Sequence, residues 1–138
     1  MQELMTTYQT RETKDEEVCF TREEQVTSDG KPYLVLDNDK YTISLFPLST
    51  KPAKGKMSYI KYNARVYFKN SGIQFHMAIR ELVEDGSLIA GQQGKMNHHR
   101  AVVTEWNPDR GISYERLAIP DTQYRELMAM VAEATRDA

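Results

Sequence analysis

Cysteine is nearly absent from this chain of 138 residues, in which Cys19 stands alone. A single cysteine cannot form an intrachain disulfide, so the small disulfide-stapled folds are excluded and a hydrophobic core has to hold the structure. No apolar run approaches the roughly 18 residues that a membrane-spanning helix needs. The first residues also lack the basic and apolar regions of a signal peptide. We therefore expect a cytoplasmic protein that does not associate with membranes.

Acidic residues are missing from one long stretch of the chain. Residues 41–79 contain six basic residues and no Asp or Glu, whereas residues 1–40 have a net charge of −5 and residues 80–138 a net charge of −3. A positive segment between two acidic ones predicts a surface for an anionic partner. The alternative is that the six bases pair with carboxylates from other parts of the chain.

Motifs for metals, phosphates and nucleophilic catalysis are lacking as well. His98 and His99 are adjacent, and no cysteine or nearby carboxylate completes a ligand set. The glycine-bearing sequence at 91–95 does not have the residues that a phosphate-binding loop requires. Cys19 lies among acidic residues, which disfavour a reactive thiolate. We predict no catalytic residue, no metal site and no cofactor.

Short β-type segments separated by turn residues fill the chain from residue 25 onward. After Pro120 the apolar period changes to 3.6, which is typical of an amphipathic helix. The pattern predicts an α+β fold: a single domain over 25–138, with a curved antiparallel sheet of five to seven strands and one C-terminal helix over 121–137. The sheet is expected to be a meander or partly barrel-like. Residues 1–24 are dense in charge, and we predict that they form an acidic N-terminal arm or a short helix.

The clearest strand covers 57–69, where apolar residues alternate with polar ones. The apolar positions are Ile60, Tyr62, Ala64, Val66 and Phe68. The intervening positions form what we call the basic-aromatic face: Tyr59, Lys61, Asn63, Arg65, Tyr67 and Lys69. A turn at 70–72 leads into a second strand, and the hairpin register places His76 on the same side as this face.

Aromatic rings that stack on bases, beside lysines and arginines that contact phosphates, are the usual means by which proteins bind single strands without sequence preference. We therefore predict a nonenzymatic nucleic-acid-binding domain that prefers single strands. The predicted contact residues are Tyr59, Lys61, Arg65, Tyr67, Lys69, Lys51, Lys54, Lys56 and His76.

A different class of function also fits the sequence. A small protein-binding inhibitor or adaptor, of the kind found in phages and mobile elements, would use the acidic segments or the basic strand to dock a charged protein partner. Exposed tyrosines are also common on ordinary sheets, so the basic-aromatic face is open to a purely structural interpretation. An exposed strand edge would allow a homodimer, although nothing in the sequence requires one.

Overall fold

A computed structural model of the chain describes residues 1–10, 12–48, 51–52, 54–72, 74–92, 95–96, 101–105, 114–118 and 121–136. Seven consecutive strands make up most of the described structure. They are β1 (Gln2–Gln9), β2 (Asp15–Val26), β3 (Pro32–Asp37), β4 (Tyr41–Pro47), β5 (Ser58–Phe68), β6 (Gln74–Leu82) and β7 (Leu88–Gln92). Three short strands and one helix follow: β8 (Lys95–Met96), β9 (Ala101–Glu105), β10 (Tyr114–Ala118) and α1 (Asp121–Ala134).

The strands form one antiparallel sheet in which β1 to β8 lie side by side in sequence order. The short hairpin of β9 and β10 joins the sheet at β6, next to β7. The sheet is curled into a half-barrel, and α1 packs on one side of it. This architecture confirms the predicted α+β fold with a curved antiparallel sheet and one C-terminal helix.

The core lies between the sheet and α1, and we call the side of the sheet that contacts α1 the inner face. Every second residue of the central strands points to it, as the period of two requires. The fully buried residues there are Leu36, Ile43, Leu45, Val66 and Ile79 from the sheet and Leu127, Met130 and Val131 from α1. Burial of each such side chain stabilises the fold by about 1.5–3 kcal/mol. The opposite side of the sheet is called the outer face.

The segment 1–24 differs from the prediction of an arm or short helix, because it forms β1 and most of β2. These strands pair continuously from Gln2 opposite Arg22 to Gln9 opposite Asp15. Val18 and Phe20 are buried against the core, and Leu4 and Tyr8 pack beside them. The acidic residues that suggested an arm or a short helix occupy exposed positions of β2, a strand that also has buried residues.

Candidate functional site: the outer face of the sheet

The hairpin of β5 and β6 brings part of the predicted site together on the outer face. Arg65 lies opposite His76, Tyr67 lies opposite Gln74, and Asn63 lies opposite Ala78. Directly paired residues of an antiparallel ladder share one face, with Cβ atoms about 4.5–5.5 Å apart. We call Asn63, Arg65, Tyr67 and His76 the outer-face cluster. Its three β5 members are exposed, while His76 is half-buried.

A β-bulge divides the basic-aromatic face that the sequence predicted. Pairing along β5 is regular from Tyr67 to Tyr62, but the register shifts by one residue between Ile60 and Tyr62. An inserted residue of this kind reverses the alternation of side chains on the bulged strand. Beyond the bulge Tyr59 pairs with Glu81, which lies two positions from the inward-facing Ile79. Tyr59 is therefore on the opposite side of the sheet from Arg65 and Tyr67.

Tyr59 and Lys61 both contact the carboxylate of Glu81. The Tyr59 hydroxyl donates a hydrogen bond to Oε2, and the Lys61 ammonium lies 3.4 Å from Oε1. Lys61 is half-buried there, 6.0 Å from the centre of the Tyr62 ring. The structure thus does not bring these two residues into the outer-face cluster, and Glu81 compensates the charge of Lys61.

Lys69 also has an acidic neighbour. Its ammonium lies 3.0 Å from a carboxylate oxygen of Asp37 and donates a hydrogen bond of 2.6 Å to the carbonyl of Asn38. Asp37 additionally accepts a hydrogen bond of 2.7 Å from the Thr42 hydroxyl. Lys69 therefore ties the end of β5 to the end of β3. The alternative that the bases pair with carboxylates from elsewhere holds for Lys61 and Lys69.

The three lysines before β5 have a different environment. Lys51, Lys54 and Lys56 are exposed in the loop that joins β4 to β5. None of them forms an ion pair with another residue that the structure describes. The same is true of Arg65. Among the described residues, these four cations thus lack the carboxylate partners that Lys61 and Lys69 have.

Two aromatic residues that the sequence analysis did not include also lie on the outer face. The rings of Tyr33 and Phe46 are stacked, with their centres 4.9 Å apart and their planes 17° from parallel. Phe46 lies opposite Asn63 on the neighbouring strand, so the stack adjoins the outer-face cluster. The outward position of Phe46 could have been predicted from the sequence. Tyr41, Ile43 and Leu45 share one face of β4, so Phe46, which follows Leu45, must point the other way.

Charge is distributed unevenly across the outer face. Its outward positions in β4, β5 and β6 carry no acidic residue within the described ranges, and they include Arg65, His76 and Arg80. The outward positions of β1, β2 and β3 instead include Glu3, Glu17, Glu23 and Asp37. Because the strands are in sequence order, the charge segregation along the chain places the acid-free strands β4 to β6 beside the acidic strands β1 to β3.

A second group of polar residues lies on the inner face, where α1 meets the sheet. Glu126 of α1 is only 3% exposed. Its Oε2 accepts a hydrogen bond of 2.8 Å from the Tyr8 hydroxyl and lies 3.5 Å from the Lys40 ammonium. The pKa of Tyr8 is raised to about 12, mainly by burial and next by the hydrogen bond to Glu126. The same causes raise the pKa of Tyr41. This group joins α1 to the end of β1 and to the start of β4.

The described residues contain no candidate metal centre. They include no group of three or more His, Cys, Asp and Glu side chains that could hold a metal ion. The histidine pair 98–99 lies outside the described residues. No described helix has the length and apolar character needed to cross a bilayer. No known protein family, curated protein or solved structure matches the chain.

Proposed function

We propose that this chain is a nonenzymatic nucleic-acid-binding domain that prefers single strands and binds them on the outer face of its sheet. The observation that carries the proposal is the outer-face cluster, where exposed Tyr67 and Arg65 lie on one strand with His76 opposite. The outer face thus offers a ring for stacking and cations for phosphates.

Electrostatics favour an anionic ligand at this position. Arg65 has no carboxylate partner among the described residues, and the outward positions around it on β4, β5 and β6 are free of acids within those ranges. The acidic residues at outward positions of β1 and β2 lie three or more strands from β5, and Asp37 of β3 is paired with Lys69. Since adjacent strands are about 4.8 Å apart, a ligand over β5 is held clear of most of this negative charge.

Stacking explains why we expect a preference for single strands. Tyr67 is 41% exposed, so one side of its ring remains available. The bases of a duplex are already stacked and paired, whereas the bases of a single strand can be placed on such a ring for about 1–3 kcal/mol each. The Tyr33 and Phe46 rings lie further along the same face and provide a second apolar surface.

The lysine-bearing loop has a supporting role in this proposal. Lys51, Lys54 and Lys56 follow β4 and precede β5, so they lie beyond the Asn63 end of the outer-face cluster. A strand that runs along β5 from Tyr67 toward Asn63 would continue to these lysines. They would contact its phosphates without reading its sequence.

The test is a fluorescence-anisotropy titration of a labelled single-stranded oligonucleotide at low and at physiological salt, beside a duplex of the same sequence. We expect single-strand binding that weakens with salt. Tyr67→Ala should weaken it by about 5- to 150-fold, the equivalent of one lost stacking contact.

Tyr59→Ala is the matched control, because it removes the same side chain from the same strand on the opposite side of the sheet. It should leave oligonucleotide affinity within about threefold of the parent. Equal losses in the two variants, or no binding of any oligonucleotide at low salt, would overturn the proposal.

A further inference from the structure

One edge of β2 is only partly covered by its neighbour. β2 pairs with β1 over residues 15–22 but with β3 only over residues 21–26. β3 ends at Asp37, where the chain turns into β4. Within the described ranges, residues 15–20 therefore have no strand beside them on the β3 side. At about 3.3 Å per residue, this open edge is about 20 Å long.

The open edge is surrounded by acidic side chains. Asp15, Glu16 and Glu17 of β2 are all exposed, as is Asp39 in the turn after β3. The nearby Lys40 is directed to Glu126 on the inner face. An unpaired edge presents backbone donors and acceptors that can pair with another strand. Here the side chains around those groups favour a strand with positive charge.

A shallow depression of about 480 Å³ adjoins the Phe20 end of this edge. It lies where β3 stops, and it is lined by Glu3, Leu4, Met5, Cys19, Phe20, Thr21, Asp37 and Asn38. Met5 is 53% exposed, and Cys19 is exposed as well. The depression thus combines an apolar surface that includes two sulfur atoms with the carboxylate of Glu3, whereas its other carboxylate, that of Asp37, is paired with Lys69. A lysine or arginine can place its aliphatic stem on such a surface and its charge at the rim.

We infer that the open edge of β2 binds a basic extended peptide of a partner protein by strand addition. The peptide continues the sheet alongside residues 15–20, and one of its lysine or arginine side chains occupies the depression. A second copy of this chain does not fit as well. Pairing two β2 edges would place their acidic residues against each other, which is unfavourable. This interaction uses a different part of the molecule from the outer-face cluster and does not depend on nucleic-acid binding.

The experiment uses a labelled peptide of eight residues in which lysine and threonine alternate, titrated with the full chain and followed by fluorescence anisotropy. We expect binding with a Kd below about 1 mM at low salt. A peptide of alternating glutamate and threonine should not bind. The lysine peptide methylated at alternate backbone nitrogens on its pairing edge should bind at least about tenfold more weakly, because it cannot donate to the ladder.

Two double variants of β2 separate the open edge from general electrostatics. Glu16→Lys/Glu17→Lys reverses charge beside the open edge and should weaken peptide binding by about tenfold or more. Glu23→Lys/Glu24→Lys makes the same change in net charge where β2 is already paired with β3, and it should have less than about a threefold effect. The peptide should also slow the reaction of Cys19 with a thiol reagent, since the depression becomes covered.

Three results would overturn the inference: a Kd above about 1 mM for the lysine peptide, equal losses in the two double variants, or unchanged affinity of the N-methylated peptide. The oligonucleotide titration is unaffected by any of them, because it concerns the outer-face cluster. A failure of strand addition is therefore distinguishable from a failure of the proposed nucleic-acid binding.

Discussion

At the scale of single residues, Glu126 is a buried acidic group whose charge the fold has to compensate. Its side chain is buried, and among the described residues its Oε2 is contacted by Tyr8 and Lys40 while its Oε1 has no hydrogen-bond partner. A buried carboxylate is costly unless donors compensate it. Tyr8 and Lys40 supply part of that compensation from two different strand ends, so the fold depends on their positions.

Tyr8→Phe should lower the free energy of unfolding by about 1–3 kcal/mol, because it removes a donor and leaves the buried carboxylate less compensated. Urea denaturation at pH 7 measures the change. Tyr33→Phe is the control: it removes the hydrogen bond from the Tyr33 hydroxyl to Gln25 on the outer face, where water can replace it. Its effect should stay below about 1 kcal/mol. Similar losses in both variants would contradict this account of Glu126.

The raised tyrosine pKa values predict sensitivity to alkaline pH. The neutral hydroxyl is favoured in the folded state, since the pKa of Tyr8 is raised from 10.0 to about 12. The resulting stabilisation is complete below pH 10 and is lost as the pH rises toward 12. The free energy of unfolding should therefore decline between pH 10 and pH 12 in urea titrations, and Tyr8→Phe should make that decline less steep. An unchanged profile in the variant would exclude Tyr8 as a cause.

At the scale of elements, the hairpin of β1 and β2 turns at a residue that is poorly suited to its conformation. Thr13 has a φ of 61°, the only positive φ among the described residues other than glycine. A β-branched side chain is strained in this left-handed region. At the turn between β2 and β3, Gly30 adopts a similar backbone conformation, with a φ of 88°.

Thr13→Gly should relieve this strain, but glycine loses more conformational entropy on folding than threonine does. The net increase in the free energy of unfolding should be about 0.5–1 kcal/mol. Thermal denaturation should show a higher midpoint. Gly30→Ala tests the reverse change, and it should lower the midpoint, since alanine is strained at a positive φ. A lower midpoint for Thr13→Gly would show that the Thr13 side chain contributes more to the turn than its strain costs.

At the scale of the whole molecule, the strand order places the acidic N-terminal strands at one side of the sheet and the basic strands β4 to β6 at its centre. Not all the bases contribute equally to this field. Lys61 and Lys69 have carboxylate partners, whereas Arg65 and the three loop lysines have none among the described residues. The effective positive surface is thus smaller than the sequence count of six implies.

This difference predicts how salt affects oligonucleotide binding. Each phosphate contact to a single strand contributes about −0.7 to the slope of log affinity against log salt concentration. Lys56→Ala should reduce the slope by about that amount, because Lys56 is exposed and has no described ion-pair partner. Lys61→Ala should leave the slope unchanged, since Glu81 already compensates this lysine. Titrations at four salt concentrations measure both slopes, and a change of equal size in the two variants would contradict the assignment.

The sequence by itself determined the class of fold and much of its order. Alternation in 57–69 fixes a strand with a buried face, and the change of period after Pro120 fixes a helix, because both patterns depend on local backbone geometry. Short turns between consecutive strands then favour a meander. Once the strands lie in sequence order, the acid-free segment 41–79 necessarily forms neighbouring strands beside the acidic strands of residues 1–40.

The tertiary structure alone decided which predicted residues share a surface. A bulge adds one residue without a local signature, and it moves Tyr59 away from Tyr67 although both fit one alternating pattern. Lys61 and Lys69 form ion pairs with acids that are 20 and 32 positions away, because cross-strand register brings distant residues together. In the N-terminal hairpin, burial of Val18 and Phe20 against the core outweighs the high local charge that suggested an arm. Each outcome depends on contacts between distant segments, which local periodicity does not specify.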